Sequence, residues 1–185
     1  MTVVQGAHLA IRPSSASDLE SILAVINDAA EAYRGVIPPD RWREPYMARS
    51  ELVREIAEGV VFWLWDERGE VAGVMGIQDR GDVTLIRHAY VRPGRQGEGI
   101  GTRLLRHLEG QTQHPLLVGT WSSARWAVRF YARNGYRLLE PRASAHLLRR
   151  YWNVPERQIE TSVVLAKGIQ GAGGEGARRD AGDKR

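Results

Sequence analysis

The chain has no cysteine among its 185 residues. That excludes disulfides, thiolate metal sites and a cysteine acyl-enzyme, and it fits a reducing compartment. No apolar run approaches the length needed to cross a bilayer. Met1 to Ala10 lacks a basic stretch leading into an apolar one, so no signal peptide is expected and the expected location is cytoplasmic. No internal repeat is present, no metal site is called for, and no strand carries the interleaved aromatic and basic residues of RNA-binding folds. The formal charge is only +4, from 26 basic and 22 acidic residues that are scattered along the chain. Neither nucleic acid nor membrane is therefore an expected partner. What is present is ordinary for a folded protein. Apolar residues make up 43% and charged residues 26%, enough for one domain with a sizeable core.

The most informative segment is Gln96-Gly97-Glu98-Gly99-Ile100-Gly101-Thr102. It lies between a strand-like apolar run, Thr84 to Val91, and an amphipathic run, Thr102 to Glu109. Glycines without Cβ atoms can take φ > 0 and approach a ligand closely. The first N–H groups of the following helix have no intrahelical partner, and together with the helix dipole they form an anion site. A P-loop would need Lys at the helix start, and the dinucleotide fingerprint would need Gly where Thr102 stands. The plain alternative is a glycine-rich strand-to-helix turn.

A second segment follows, Ala127-Val128-Arg129-Phe130-Tyr131-Ala132-Arg133-Asn134-Gly135-Tyr136. Ala127, Phe130, Tyr131 and Asn134 share one helical face, and Asn134-Gly135 suits a left-handed cap. Taken together, the two segments resemble the GNAT family of N-acetyltransferases. The spacing Gln96-x-x-Gly99-x-Gly101, preceded by the apolar-Pro step Val91-Arg92-Pro93, is similar to the family's coenzyme-A pyrophosphate loop. The Ala127–Tyr136 segment is similar to the family's Ala-x-x-Phe-Tyr-x-Lys-x-Gly-Phe stretch.

Patterning along the chain predicts the order β-α-α-β-β-β-α-β-α-β-β. This is an α/β fold with a mixed, mostly antiparallel sheet flanked by helices, and it agrees with what the resemblance implies across about 9–166. Ser17 with Glu20 is expected to cap the first helix, and Ser50 the second. Tyr136–Leu139 is expected to start a strand, Ala143–Trp152 to hold a helical turn, and Ile159, Thr161, Val163 and Leu165 to alternate in a final strand. Residues 1–167 are expected to form the domain. Gly168–Arg185, rich in Gly, Ala and charge, is expected to be disordered. A homodimer is the default expectation for oligomeric state.

The resemblance implies direct transfer of acetyl from acetyl-CoA to an amine of a small molecule or peptide, through a tetrahedral intermediate. It implies that N–H groups from Gly97, Glu98, Gly99, Ile100, Gly101 and Thr102, with Gln96 opening the loop, hold the pyrophosphate. Backbone groups of Ala89, Tyr90 and Val91 would pair with the pantetheine arm and polarise the thioester carbonyl. Tyr131 would protonate the departing thiolate, and Arg133 would contact a CoA phosphate. Two departures stand out. Ala124 occupies a position where many relatives have Asn, leaving Ser122, Ser123 or Trp121 as substitutes. The strand before the loop also lacks the Glu base of some relatives. Glu44, His88 and Glu160 are the candidates for that base, beside a water chain with no single base. Tyr33, Trp42, Tyr46, Arg87 and Trp121 are candidate acceptor-site residues, against the alternative that the aromatics simply fill core. A non-catalytic acyl-CoA-binding module is the alternative function.

Overall fold

The computed structural model describes residues 9–169. The terminal expectations, for Met1 to His8 and for nearly all of the tail, lie outside the described residues. The strands are β1 (Leu9–Pro13), β2 (Val61–Glu67), β3 (Glu70–Asp79), β4 (Thr84–Val91), β5 (Leu116–Trp121), β6 (Arg137–Leu138) and β7 (Ser162–Lys167). The helices are α1 (Leu19–Ala30), α2 (Arg49–Ala57), α3 (Ile100–Glu109), α4 (Arg125–Arg133), α5 (Pro141–Tyr151) and α6 (Glu156–Glu160). One seven-stranded sheet runs in the order β1-β2-β3-β4-β5-β7-β6. Among the described residues, only the β4–β5 pair is parallel. The other ladders are antiparallel.

The sheet divides the helices into two layers. On one face Ile100, Leu104, Leu105 and Leu108 of α3 pack with Tyr131 of α4 over Ala72, Met75, Ile86 and Val118. On the other, α1 and α2 bury Ile22, Val25, Ile26 and Leu52 against Phe62, Leu64 and Val74. On that same side Leu148 and Tyr151 of α5 cover Leu85, Leu117 and Val164. The β2–β3 hairpin turns at Arg68 and Gly69, which both take positive φ (58° and 90°), the twist that suits a two-residue connection.

The expected fold class holds, with local corrections. Between β6 and β7 the chain forms two helices in place of one helical turn. Pro141 enters α5 at its first turn, where a missing N–H costs nothing, and Ser144, Leu148 and Tyr151 supply the buried stripe. Ile159 belongs to α6, so the last strand begins only at Ser162, and the strand expected from Tyr136 shrinks to Arg137–Leu138. Ala48, not Ser50, precedes α2, and it makes no side-chain cap.

The entry to α1 is held by Ser15 and Asp18, two residues before the expected Ser17–Glu20 box. Ser15 donates from its backbone N and its Oγ to Asp18 Oδ2, at 2.7 and 2.8 Å. Arg12 at the end of β1 forks onto the same carboxylate at 2.8 and 2.9 Å and reaches Asp66 at 2.8 Å. The Arg12 fork holds the Asp18 carboxyl far below the ordinary carboxylate range, against burial that would raise it. A depressed carboxylate contributes stability above its unfolded pKa of about 3.9 and loses it as pH falls through the folded value. The expected result is that Asp18→Asn costs about 1–2 kcal/mol at pH 7. In urea midpoints measured down a pH series, that difference narrows below about pH 4. A gap of constant size at every pH would show that the charge is not what Asp18 contributes.

Candidate functional site

Strands β4 and β5 pair only from Thr84 to Ile86, opposite Leu116 to Val118. Beyond Ile86 they part, because β5 continues along β7 as far as Trp121 opposite Ser162. The parting opens a cavity of about 1120 Å³ that reaches from the glycine loop to the face carrying α2 and α5.

At one end lies the loop. A short helical turn, Pro93–Arg95, leads through Gln96 to Gly99, which precedes α3. Gly97 and Gly99 take φ of 86° and 80°, the left-handed region that disfavours other residues. No atom would meet a Cβ built on Gly97, and only Arg103 Nε, at 3.9 Å, approaches one on Gly99. Gln96 Nε2 donates to the Val91 carbonyl at 3.1 Å, which ties the loop to the strand before it. Gly101 lets the first turn of α3 lie on Phe130, 3.4 Å from where its Cβ would stand. The loop therefore offers open backbone and unpartnered helix N–H groups on a fixed mount, which suits a pyrophosphate.

The expected cofactor residues Ala89, Tyr90, Val91, Gln96, Gly97, Gly99, Ile100, Gly101 and Thr102 all line this cavity. The Glu98 side chain does not. It pairs with Arg95 at 2.8 Å, and Arg95 also holds Glu67. Arg133 stands apart from the cavity. With Arg106 and Arg129 it lines a smaller groove of about 520 Å³ between α3 and α4, which opens beside Thr102.

Tyr131 lines the same cavity, with 4% of its surface exposed. Burial, with Tyr33 adding to it, pushes its phenol far above the ordinary value, so the hydroxyl keeps its proton at neutral pH. Its ring is held edge-on by Phe130 and Tyr136, with centroids at 5.0 and 5.5 Å.

On the far side of the parted strands stand the expected acceptor residues Tyr33, Trp42, Tyr46, Arg87 and Trp121. Tyr33 stacks on Tyr46 at 5.6 Å and packs on Trp126 at 5.5 Å. Trp121 donates from Nε1 to the Tyr46 hydroxyl at 3.2 Å. Burial raises the Tyr33 phenol to about 12. Trp121, not a serine, takes the space beside Ala124. Ser122 is exposed and bonds the Thr161 carbonyl at 2.9 Å. The wall is completed by Trp152 to Pro155 and by Gln158, which the extra helices bring in. Gly119 leaves room for this, since a Cβ there would come within 3.3 Å of the Trp152 ring.

Of the candidate bases, His88 lines the cavity and the two carboxylates do not. Glu44 points outward to Arg34, at 3.2 Å, with 73% of its side chain exposed. Glu160 ends α6 and lies 3.5 Å from Arg157. A carboxylate that was not among the candidates does reach the cavity. Glu55 of α2 is 8% exposed and bonds both His88 and Arg87. The signal was available, since Glu55 stands three residues after Leu52, on the buried face of α2.

Residues 25–149 match the family described as Acetyltransferase (GNAT) domain. None of the curated proteins matches the chain. Among solved structures, the PaiA N-acetyltransferase of Thermoplasma acidophilum in complex with coenzyme A is similar at TM-score 0.64 and 17% identity. That similarity covers 85% of this chain and 97% of that one. The ribosomal-protein-S18-alanine N-acetyltransferase of Escherichia coli is similar at TM-score 0.62 and 18% identity, over 89% of this chain and 96% of that one. An acetyltransferase of Thermus thermophilus is similar at 0.61 and 12%, over 85% and 95%. At these identities the likeness is one of fold.

Proposed function

Because the chain belongs to the acetyltransferase (GNAT) domain family and uses acetyl-CoA, we propose that it acetylates the amine of a small molecule or peptide by direct transfer, with the acceptor held among Tyr33, Trp42, Tyr46 and Trp121. The observation that carries this reading is the placing of the glycine loop, Tyr131 and His88 on one cavity that passes between β4 and β5.

Bound acetyl-CoA supplies an activated acetyl group and a thiolate leaving group. The N–H groups from Gly97 to Thr102 hold its pyrophosphate, and the cationic groove of Arg106, Arg129 and Arg133 adds favourable potential nearby. The backbone of Ala89, Tyr90 and Val91, which lines the cavity, would hold the pantetheine arm and polarise the thioester carbonyl. His88 takes the ammonium proton, which frees the lone pair that forms the new N–C bond. As the C–S bond breaks, Tyr131 would give its proton to the sulfur and regain one from the nitrogen that becomes the amide, so that the proton on His88 is the one finally released. The aromatic side suits a flat or apolar amine, because rings there offer faces to an apolar body and to a cationic nitrogen alike.

Thermal unfolding and thiol release test the reading. Acetyl-CoA at 100 times its dissociation constant stabilises by about 2.7 kcal/mol. For a chain of this length that corresponds to a rise in Tm of about 5–10 °C, with little rise for ATP or NAD. Acetyl-CoA-dependent thiol release across a panel of arylalkylamines, amino acids and peptides then identifies the acceptor. No shift at saturating acetyl-CoA would remove the loop assignment.

A further inference from the structure

The β3–β4 ladder skips a residue where the cavity opens. Gly76 faces Arg87 and Val74 faces Tyr90, so His88 and Ala89 together stand across from Met75. His88 takes the extra position with φ of 49°, a conformation that side-chain-bearing residues hold only when the surroundings enforce it. The bulge turns its ring onto the α1–α2 side of the sheet, where it stacks on Phe62 with centroids 5.7 Å apart. Arg87 and His88 are adjacent in sequence, yet both reach the same carboxylate.

That carboxylate is Glu55. His88 Nε2 contacts Glu55 Oε2, and Arg87 Nη2 stands 3.0 Å from the same oxygen. Arg87 is fixed in turn by Gln78, donating from Nη1 to its Oε1 at 2.9 Å, while Gln78 Nε2 donates to the Glu58 carbonyl at 2.9 Å. The side chains of His88, Arg87 and Glu55 are 14%, 17% and 10% exposed. Burial alone would raise the Glu55 carboxyl. The His88 bond, with the charges of Arg87 and Arg54, outweighs it and leaves the group below its ordinary value, hence ionised at neutral pH. An ionised carboxylate only accepts, so the Nε2 it faces carries a proton, and whenever the ring holds a single proton the lone pair is on Nδ1. Among the described residues, only His107 Nε2 and the Tyr136 hydroxyl are sealed off without a partner. Nδ1 of His88 is not sealed, and the residue lines the cavity.

The geometry points to Glu55 as the positioning residue of a histidine–carboxylate pair: it fixes the His88 tautomer whose Nδ1 receives the acceptor's ammonium proton, and it stabilises the imidazolium that forms. The logic is that of an acid orienting a histidine base from behind. It rests on the acetyltransferase reading and assigns the base within it. The balance is simple. One proton passes from the ammonium to Nδ1 before the N–C bond forms, Nε2–H stays on the ring throughout, and Glu55 remains ionised. The Glu55 carboxylate itself feels three partners, His88 and Arg87 from β4 and Arg54 from its own helix.

The tautomer is read without any acceptor. Long-range 1H–15N correlation spectra on uniformly labelled full-length protein near pH 8, with His88→Gln giving the assignment, are expected to show His88 protonated at Nε2. That preference is lost in Glu55→Gln, which keeps the volume of the side chain. A ring protonated at Nδ1 in the wild type, or a tautomer unmoved by Glu55→Gln, overturns the pair. The second readout is kcat/KM against pH, begun with 2-phenylethylamine as probe. Glu55→Gln is expected to lose about 10–100-fold and to shift the acidic limb to lower pH, because the lost carboxylate favoured the charged ring. In a His88→Gln background the same change is expected to have little further effect. An unmoved limb, or losses that simply add, overturns the catalytic part. Loss of the acetyl-CoA thermal shift in the wild type is a different failure, that of the acetyltransferase reading itself.

Discussion

Replacing Tyr131 with phenylalanine is expected to lower kcat by about 10²–10³-fold while leaving the acetyl-CoA-induced rise in Tm intact. The change removes one oxygen. The ring stays wedged between Phe130 and Tyr136 in the α3-side core, and no protein hydrogen bond to that oxygen is present among the described residues. Stability should therefore move little, which separates this variant from an ordinary core lesion. The chemistry should move a great deal. A phenol that burial holds firmly protonated is a poor base and a competent donor, and it lines the same cavity as the glycine loop and the aromatic residues. Steady-state thiol release gives kcat, and the KM for acetyl-CoA should stay within about threefold, since binding energy comes from the loop. A Tyr131→Phe enzyme with wild-type kcat would mean that water protonates the thiolate and that Tyr131 is only packing. Such a result would also reopen the binding-module alternative if the wild type proved equally slow.

The glycine loop and the helix carrying Tyr131 were legible in the sequence because their backbone demands are local. A glycine-rich turn before an amphipathic helix states its backbone demands in consecutive residues, and the helix ending at Asn134 states its own cap. The acceptor side was only half legible. Tyr33, Trp42, Tyr46, Arg87 and Trp121 line one cavity, but they come from the turn after α1, the connection to α2, and strands β4 and β5. The outward turn of Glu44 toward Arg34 follows from an ion pair ten residues back in the chain. Glu160 was assigned to a strand because Ile159, Thr161, Val163 and Leu165 alternate. In the fold, Pro155 starts a short helix and moves the alternation to begin at Ser162. The Glu55–His88 contact was hidden for a tertiary reason. Glu55 and His88 are 33 residues apart, and they meet only because a bulge turns His88 toward α2. Nothing in the strand's own letters announces that bulge. Gly76 beside it gives the only hint, since a Cβ there would come within 2.9 Å of Val60 Cγ1 and 3.1 Å of the Arg87 carbonyl.

Gly73→Val should cripple the same loop from beneath, through the seat of α3, without touching any cofactor atom. Gly73 lies in β3 opposite Trp65 and Val91, the residue that ends β4 before the loop. Its φ is not in the left-handed region, so the backbone itself tolerates a side chain. The obstacle is packing. A Cβ would stand 2.8 Å from Ile100 Cγ2 and 3.3 Å from Leu104 Cδ1, and both of those side chains are fully buried. Ile100 is the first residue of α3 and follows Gly99 directly. Whatever pushes it outward also moves the N–H groups proposed to hold the pyrophosphate. Overpacking of this kind costs about 1–3 kcal/mol, or about 2–12 °C in Tm at this chain length. Acetyl-CoA affinity should fall about tenfold or more, equivalent to about 1.4 kcal/mol at the loop. The control is Gly81→Ala in the β3–β4 turn. There φ is 86° and no atom would meet the new Cβ, so strain alone destabilises by about 1–2 kcal/mol, away from α3. Both variants should melt earlier than the wild type, but only Gly73→Val should bind acetyl-CoA weakly in titration calorimetry. If both keep wild-type affinity, the loop does not depend on the seat of Ile100, and the close approach at Gly73 serves the core alone. If both lose it, affinity follows global stability and contact with Ile100 is not the cause. The selective loss is what the 2.8 Å separation demands, because a helix whose first turn rests on a glycine has no slack to absorb a larger residue.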